Sequence, residues 1–182
     1  MRHYMVDLET MSLENNAAIV QIGVTEFDEY GAGRNFTRNV SLATSVDAGL
    51  HLDANTISWW MNQTKKTWMK DPIDLVQALG HLSRWIDDDG KQDGNLTIWG
   101  DGAAFDPAVL ESAYEAIGFP RWWKYNQVRC YRTMKNLFPD IIRIEKADHD
   151  ALGDAFQQAQ HLVHICRVHN IDLNAVQAEK GK

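Results

Sequence analysis

At 182 residues, with 45% hydrophobic and 24% charged side chains, the sequence has the make-up of one globular domain, 1–182, large enough for a sheet covered by helices. No apolar run approaches the roughly 20 residues that cross a bilayer, and the first residues read as strand rather than signal peptide, so no membrane partner is expected. Cys130 and Cys166 form no CxxC pair and exclude a disulfide scaffold, which makes the reducing cytoplasm the expected setting, and a net charge of −7 argues against a protein that coats duplex nucleic acid.

Residues 3–8 read as a first strand, and Ala17–Phe27 as a second, largely buried one. Gly31-Ala32-Gly33 marks a turn, after which Asn35–Leu42 alternates as a third strand, completing an antiparallel meander. Ala54–Gln63 is a short helix. Pro72–Asp87 is a longer one, with Asp71 as cap, Pro72 in the first turn, and Leu75, Val76, Leu79, Leu82 and Ile86 on its core face. Asp87–Gly94 is a polar turn; an EF-hand would need acids where Trp85 and Leu96 stand. Leu96–Trp99 is a buried strand, Pro107–Ile117 a helix closed by Gly118, Val128–Cys130 a short strand feeding a helix to Phe138, and Ala151–His169 the last helix. A meander followed by strands alternating with helices predicts an α/β mixed sheet.

The first strand ends in Asp7-Leu8-Glu9-Thr10. Alternate residues of a strand share a face, so Asp7 and Glu9 point the same way and repel unless a cation lies between them. Further acids follow at Asp101 and Asp106 in Trp99-Gly100-Asp101-Gly102-Ala103-Ala104-Phe105-Asp106, and at Asp154, five residues after His149. Each has a structural alternative. Asp106 before Pro107 suits a helix N-cap, and Asp154 suits the positive end of a helix dipole. His149 suits an ordinary loop. On the last helix Leu152, Phe156, Ala159, Val163 and Cys166 form the apolar stripe, and Asp154 projects away from it. His161 and His164 read as surface residues rather than a zinc pair. Trp59-Trp60 and Trp122-Trp123 suit either the core or stacking on bases.

In this order (Asp7-x-Glu9-Thr10 on a first strand, Phe105-Asp106 after a small-residue loop, His149-x4-Asp154 opening a late helix) the motifs resemble the DEDDh class of 3'-5' exonucleases. The match runs from residue 4 to about residue 165. The resemblance implies a ribonuclease H-like fold and two divalent cations, Mg2+ with Mn2+ able to substitute, held by Asp7, Glu9, Asp106 and Asp154. It makes His149 the general base, and Met11 matches the place of an apolar wedge against the terminal base. Thr10, Met11, Asp101, Phe105, Trp59 and Trp60 are the candidate substrate contacts. Asp101 departs from the pattern, which has an asparagine near this place. Thr56-Ile57-Ser58-Trp59-Trp60 is similar to a segment of phage-type and bacterial stand-alone exonucleases, including exoribonucleases, so a free-standing nuclease is expected rather than part of a polymerase.

The expected activity is release of nucleoside monophosphates from single-stranded 3' ends of DNA or RNA. A catalytically silent nucleic-acid-binding module and a ribonuclease H-type endonuclease are the alternatives, and a homodimer is left open. Basic charge is concentrated between Phe119 and Lys146, where Arg121, Lys124, Arg129, Arg132, Lys135, Arg143 and Lys146 stand against Asp140 and Glu145.

Overall fold

The computed structural model describes residues 1–87, 95–143 and 149–175. The polar turn expected at Asp87–Gly94 lies outside the described residues except for Asp87, as do Glu145 and Lys146. Five strands form one sheet: β1 (Arg2–Thr10), β2 (Ile19–Asp28), β3 (Gly31–Asn39), β4 (Leu96–Gly100) and β5 (Val128–Cys130), in the order β3-β2-β1-β4-β5. β1, β2 and β3 pair antiparallel, whereas β4 and β5 join parallel to β1. The described helices are α1 (Leu42–Asp47), α2 (Ala54–Met61), α3 (Leu75–Asp87), α4 (Asp106–Ala116), α5 (Tyr131–Leu137) and α6 (Ala151–Val168). The architecture is the mixed α/β sheet expected of a ribonuclease H-like fold.

β1 is buried on both faces because helices cover both. Tyr4, Val6 and Leu8 enter one core with Leu79 and Leu82 of α3 and Val109 and Leu110 of α4. Met5 enters the other, with Trp99 of β4 and Ala155, Ala159 and Leu162 of α6. Asp7 and Glu9 continue the Met5 face by strand alternation. The face that carries the carboxylates is thus the face on which α6 lies.

α6 can lie there only because of Gly23. A Cβ at this position would stand 2.2 Å from the Ala151 carbonyl carbon and 2.3 Å from the Leu152 nitrogen, so the helix start rests directly on the β2 backbone. Gln21, two residues earlier on the same face, completes the contact. Its Oε1 accepts from the Ala151 amide at 2.9 Å, and its Nε2 donates to Asp150 Oδ1 at 3.2 Å. Asp150 in turn caps α6 by accepting from the Gly153 amide at 3.1 Å.

Several local expectations shift. Gly31-Ala32-Gly33 begins β3 instead of forming the turn, which falls at Glu29–Tyr30, where Asp28 Oδ1 accepts from the Tyr30 and Gly31 amides. β3 ends at Asn39, and Leu42 opens α1, a short helix with too few turns to show periodicity. α3 starts at Leu75, not Pro72. Ile73 exchanges backbone hydrogen bonds with Asn39 and Ser41, which keeps residues 72–73 extended, and Asp74 rather than Asp71 accepts at the helix start from Val76. Val76 is exposed, and Ala78 holds the buried position. On α6 the buried stripe is Ala151, Ala155, Ala159, Leu162 and Cys166, with Leu152 and Phe156 only half-buried. His161 is buried, not at the surface. Its Nδ1 accepts from the Tyr131 hydroxyl at 2.7 Å and its Nε2 donates to the Ile141 carbonyl at 2.8 Å.

Gly23→Ala tests the seat of α6. Overpacking backbone against backbone should cost about 1–3 kcal/mol or more, read from the urea midpoint. It should also weaken divalent-ion binding in calorimetry, because Asp154 moves with the helix. A variant of wild-type stability and affinity would show that α6 does not depend on this contact.

Candidate active site

β1 and α6 bring Asp7, Glu9 and Asp154 together, with one oxygen from each within 4.8 Å of the others. Asp7 Oδ1 accepts from Gln158 Nε2 at 2.7 Å, and Asp154 Oδ1 accepts from Arg143 Nη2 at 2.7 Å. Gln158 lies one helical turn beyond Asp154, so both face β1. Asp106 stands beside this triple as the first residue of α4. It does not take the alternative role of helix cap: its Oδ1 accepts from the Leu8 amide at 3.2 Å, while Phe105 occupies the cap position without a side-chain bond. β4 allows this approach through Gly100, where a Cβ would stand 2.7 Å from Pro107 and 3.1 Å from the Asp106 Cβ.

The anionic forms of Asp7, Glu9 and Asp106 are disfavoured. Withdrawal from water pushes Asp7 well above the usual carboxylate range, and the charges of Asp106, Asp154 and Glu9 push it further. Glu9 is pushed up to about 8, first by burial and then by Asp154, Asp150 and Asp106. Asp106 is pushed up to about 7, mainly by burial, against the pull of the Leu8 amide. Clustered hard oxygen donors that repel one another in a low-dielectric cleft are the donor set that a divalent cation fits.

A cleft of about 750 Å³ opens beside Glu9. Its apolar wall is Leu8, Leu13, Trp59, Trp60 and Phe105; Ser12, His51, Asp53 and Thr56 are among its polar members. Of the expected substrate contacts, Thr10, Trp59, Trp60 and Phe105 line it, with Trp59 42% exposed. Trp60 is 3% exposed, and its Nε1 donates to the Thr10 carbonyl at 2.9 Å, so it backs the wall and presents little surface. Thr10 is buried, with its hydroxyl donating to the Ser12 carbonyl. Met11 is not a wedge. It is 2% exposed and turned into the core by bonds of its amide to Ala18 and its carbonyl to Asp53. Leu13, 78% exposed at the same cleft, is the apolar side chain that reaches solvent there. Trp122 and Trp123 pack edge-on against Tyr4 and Tyr114 and belong to the core.

His149 turns the chain into α6 with a left-handed backbone, φ 55°. Its ring meets that of Trp59 edge-on at 4.8 Å and that of Trp60 at 6.3 Å. The imidazole therefore stands on the aromatic wall of the cleft. Asp101 is not free for substrate: Arg132 Nε at 3.2 Å and Lys135 Nζ at 2.9 Å hold its carboxylate. With Arg121 paired to Glu111 and Arg143 to Asp154, much of the basic run serves to neutralise acids. Sequence reasoning missed Gln158, Arg143, Gln21 and Leu13. Only Gln158 carried a signal, its one-turn spacing from Asp154.

The mixed sheet is the fold that the DEDDh resemblance implies, and three of the four expected acids meet in one cluster. The chain belongs to the Rv2179c-like 3'-5' exoribonuclease domain family, whose model matches residues 2–166. That membership makes it an enzyme acting on nucleic acid, and the family implies divalent metal ions. A comparison with curated protein sequences found no match. Among solved structures, the chain is similar to the nuclease domain of 3'hExo, a DEDDh family member bound to rAMP, at 12% identity and a TM-score of 0.65, covering 93% of this chain and 94% of that one. Exonuclease X in complex with 5' overhanging duplex DNA matches at 14% identity and a TM-score of 0.57, covering 96% and 98%. Exonuclease I from Methylocaldum szegediense matches at 15% identity and a TM-score of 0.62, covering 95% of this chain and 42% of that one.

The raised carboxyls set a pH dependence. Glu9 and Asp106 titrate near 8 and 7 in the fold, whereas unfolded carboxyls titrate at about 4. Between those limits the folded state holds more protons, so metal-free stability falls as pH rises. From pH 5 to pH 8.5 in chelator the loss should be on the order of a few kcal/mol. Excess Mn2+ should flatten the slope by binding only the folded, ionised site. Thermal melts across that range provide the measurement, and a melting temperature that climbs with pH in chelator would contradict the assignment.

Proposed function

We propose that the protein removes nucleoside monophosphates one at a time from the 3' end of single-stranded RNA, with Mg2+ as the working ion and Mn2+ able to replace it. The observation that carries this reading is the meeting of Asp7, Glu9 and Asp154 oxygens within 4.8 Å, with Glu9 also lining a cleft of about 750 Å³. RNA is favoured over DNA by the family's description as an exoribonuclease. A cytoplasmic setting is proposed because Cys130 and Cys166 are both free.

Asp7, Glu9, Asp106 and Asp154 would hold the ions. When bound, the ions supply positive charge to the scissile phosphate and lower the pKa of the attacking water. The chain's own residues do the remaining work. Asp106 is fixed by the Leu8 amide and Asp7 by Gln158, so these carboxylates are presented in set orientations. His149 would accept the water's proton at a ring nitrogen, a role an imidazole commonly takes in acid–base catalysis. Trp59 and Phe105 would flank the terminal base, and Leu13 would press on it from the loop after β1.

A 5'-labelled RNA single strand should shorten in a ladder with Mg2+ or Mn2+, faster than the matching DNA, while a 3'-blocked strand resists. Chelator should abolish the ladder, as should Asp7→Asn with the fold intact. Activity in excess EDTA, or mononucleotides released from the 5' end, would sink the proposal. His149→Ala should slow the chemical step by about 10²–10⁴-fold, the usual worth of a positioned acid–base group, and leave Mn2+ binding nearly unchanged. Unaltered turnover in that variant would make the histidine a bystander.

A further inference from the structure

A second cavity, of about 850 Å³, runs along α6 away from the carboxylate cluster. It begins at Arg143, Asp150 and Gly153, beside Asp154, and ends at Tyr30, His164 and Arg167. From Asp154 to Arg167 the helix rises about 20 Å. That length exceeds several times the roughly 3.4 Å rise of a stacked nucleotide.

Its chemistry differs from that of the chain as a whole. The protein carries −7, yet Asp150 is the one carboxylate among the described residues lining this groove, against Arg143, whose Nη2 also meets Asp154, and Arg167. Asp150 is already engaged: Oδ1 accepts from Gln21 and Thr67, and Oδ2 from the Gly153 amide. Arg167 donates to the carbonyls of Glu29 and Tyr30, at 3.4 and 3.3 Å, which positions the guanidinium without cancelling its charge. Between the two cations stand Gln157, whose Oε1 accepts from Arg143, and the exposed Gln160, and large apolar surface faces water, with Tyr30 82% and Ile142 80% exposed. Spaced cations, uncharged amides and exposed aromatic surface are what a flexible polyanion with stacking bases requires.

We infer that this groove carries the substrate strand on the 5' side of its terminal nucleotide, with Arg143 at the near end and Arg167 as the distal phosphate contact. The inference rests on the exonuclease reading, because it takes the strand's 3' end to lie at Asp7, Glu9 and Asp154. A second copy of the chain is the rival occupant.

The test compares single-stranded RNA of two and ten nucleotides with wild type and Arg167→Glu. The charge reversal should raise KM for the ten-mer about tenfold, and at least fivefold more than for the dinucleotide, with kcat for both held within twofold. The slope of log KM against log salt for the ten-mer should shallow by about 0.7 for each phosphate that the protein ceases to neutralise. Gln160→Glu, at an exposed position in the same groove, should act in the same direction if Arg167→Glu does not fold. Equal effects on both substrates, or no effect on the ten-mer, would overturn the inference. Fluorescence anisotropy of a labelled, 3'-blocked ten-mer separates this failure from that of the function. If wild type hydrolyses neither strand but binds the ten-mer, and Arg167→Glu weakens that binding tenfold, the exonuclease reading falls and the groove stands. If light scattering shows a dimer that Arg167→Glu dissociates while ten-mer binding is unchanged, the groove seats a second copy instead.

Discussion

The first turn of α6 touches β2 with no side chain between them, and the site is assembled around that contact. In the antiparallel ladder Gly23 stands opposite Asp7 and Gln21 opposite Glu9. β2 therefore grips the start of α6 beside the two β1 residues that supply carboxylates. Gly23 makes room for the Ala151 backbone, while Gln21 satisfies the Ala151 amide and holds the capping Asp150. Each bond from a buried group spares a desolvation penalty of about 1–3 kcal/mol. Asp154, one turn further on, reaches Asp7 and Glu9 as a result. The placement of the third carboxylate is a consequence of backbone packing and needs no attraction between the acids, which repel.

That repulsion is borne by the scaffold. Asp7, Glu9 and Asp106 are all pushed upward, so forming the site opposes folding wherever these groups ionise. Arg143 on Asp154 and Gln158 on Asp7 offset part of the cost. An arrangement that weakens the fold persists where it has a use, and a cation is the simplest partner that turns the cost into affinity. The same pairing of charges accounts for part of the basic run after Phe119: Arg132 and Lys135 are held by Asp101, and Arg121 by Glu111. On the proposed reading the polyanion surface runs along α6.

Strand alternation carried most of what the sequence could tell about the site. Period two put Asp7 and Glu9 on one face, and helical spacing set Asp154 on the last helix; both survive in three dimensions. The reading failed where the chain leaves regular structure. The ladder shifts register between Glu9 and Thr10, so alternation no longer decides where Met11 points, and bonds to Ala18 and Asp53 turn it inward. Pro72 looked like a helix start because the pairing of Ile73 with the end of β3, which keeps that stretch extended, is a long-range fact. His161 looked like a surface residue because its partners, Tyr131 and the Ile141 carbonyl, come from distant segments. Trp59 and Trp60 are adjacent in sequence yet divided in role, since a helix turns about 100° per residue and sends one ring outward and one inward.

The start of α6 also links two cavities. Asp150 and Gly153 line the groove, and Asp154 meets Glu9, which lines the cleft with Trp59 and Phe105. On the proposed reading, a strand with its last base in the cleft and its body in the groove crosses the helix start between them, where Asp154 faces Asp7. The bond over the carboxylates is then set by how far the end reaches into the cleft, not by the sequence of the strand. His149, mounted on Trp59 at the same turn, stands on the cleft side of that crossing. On the same reading, attack falls next to a strand's end because the cleft holds the last base and leaves the preceding bond over the carboxylates.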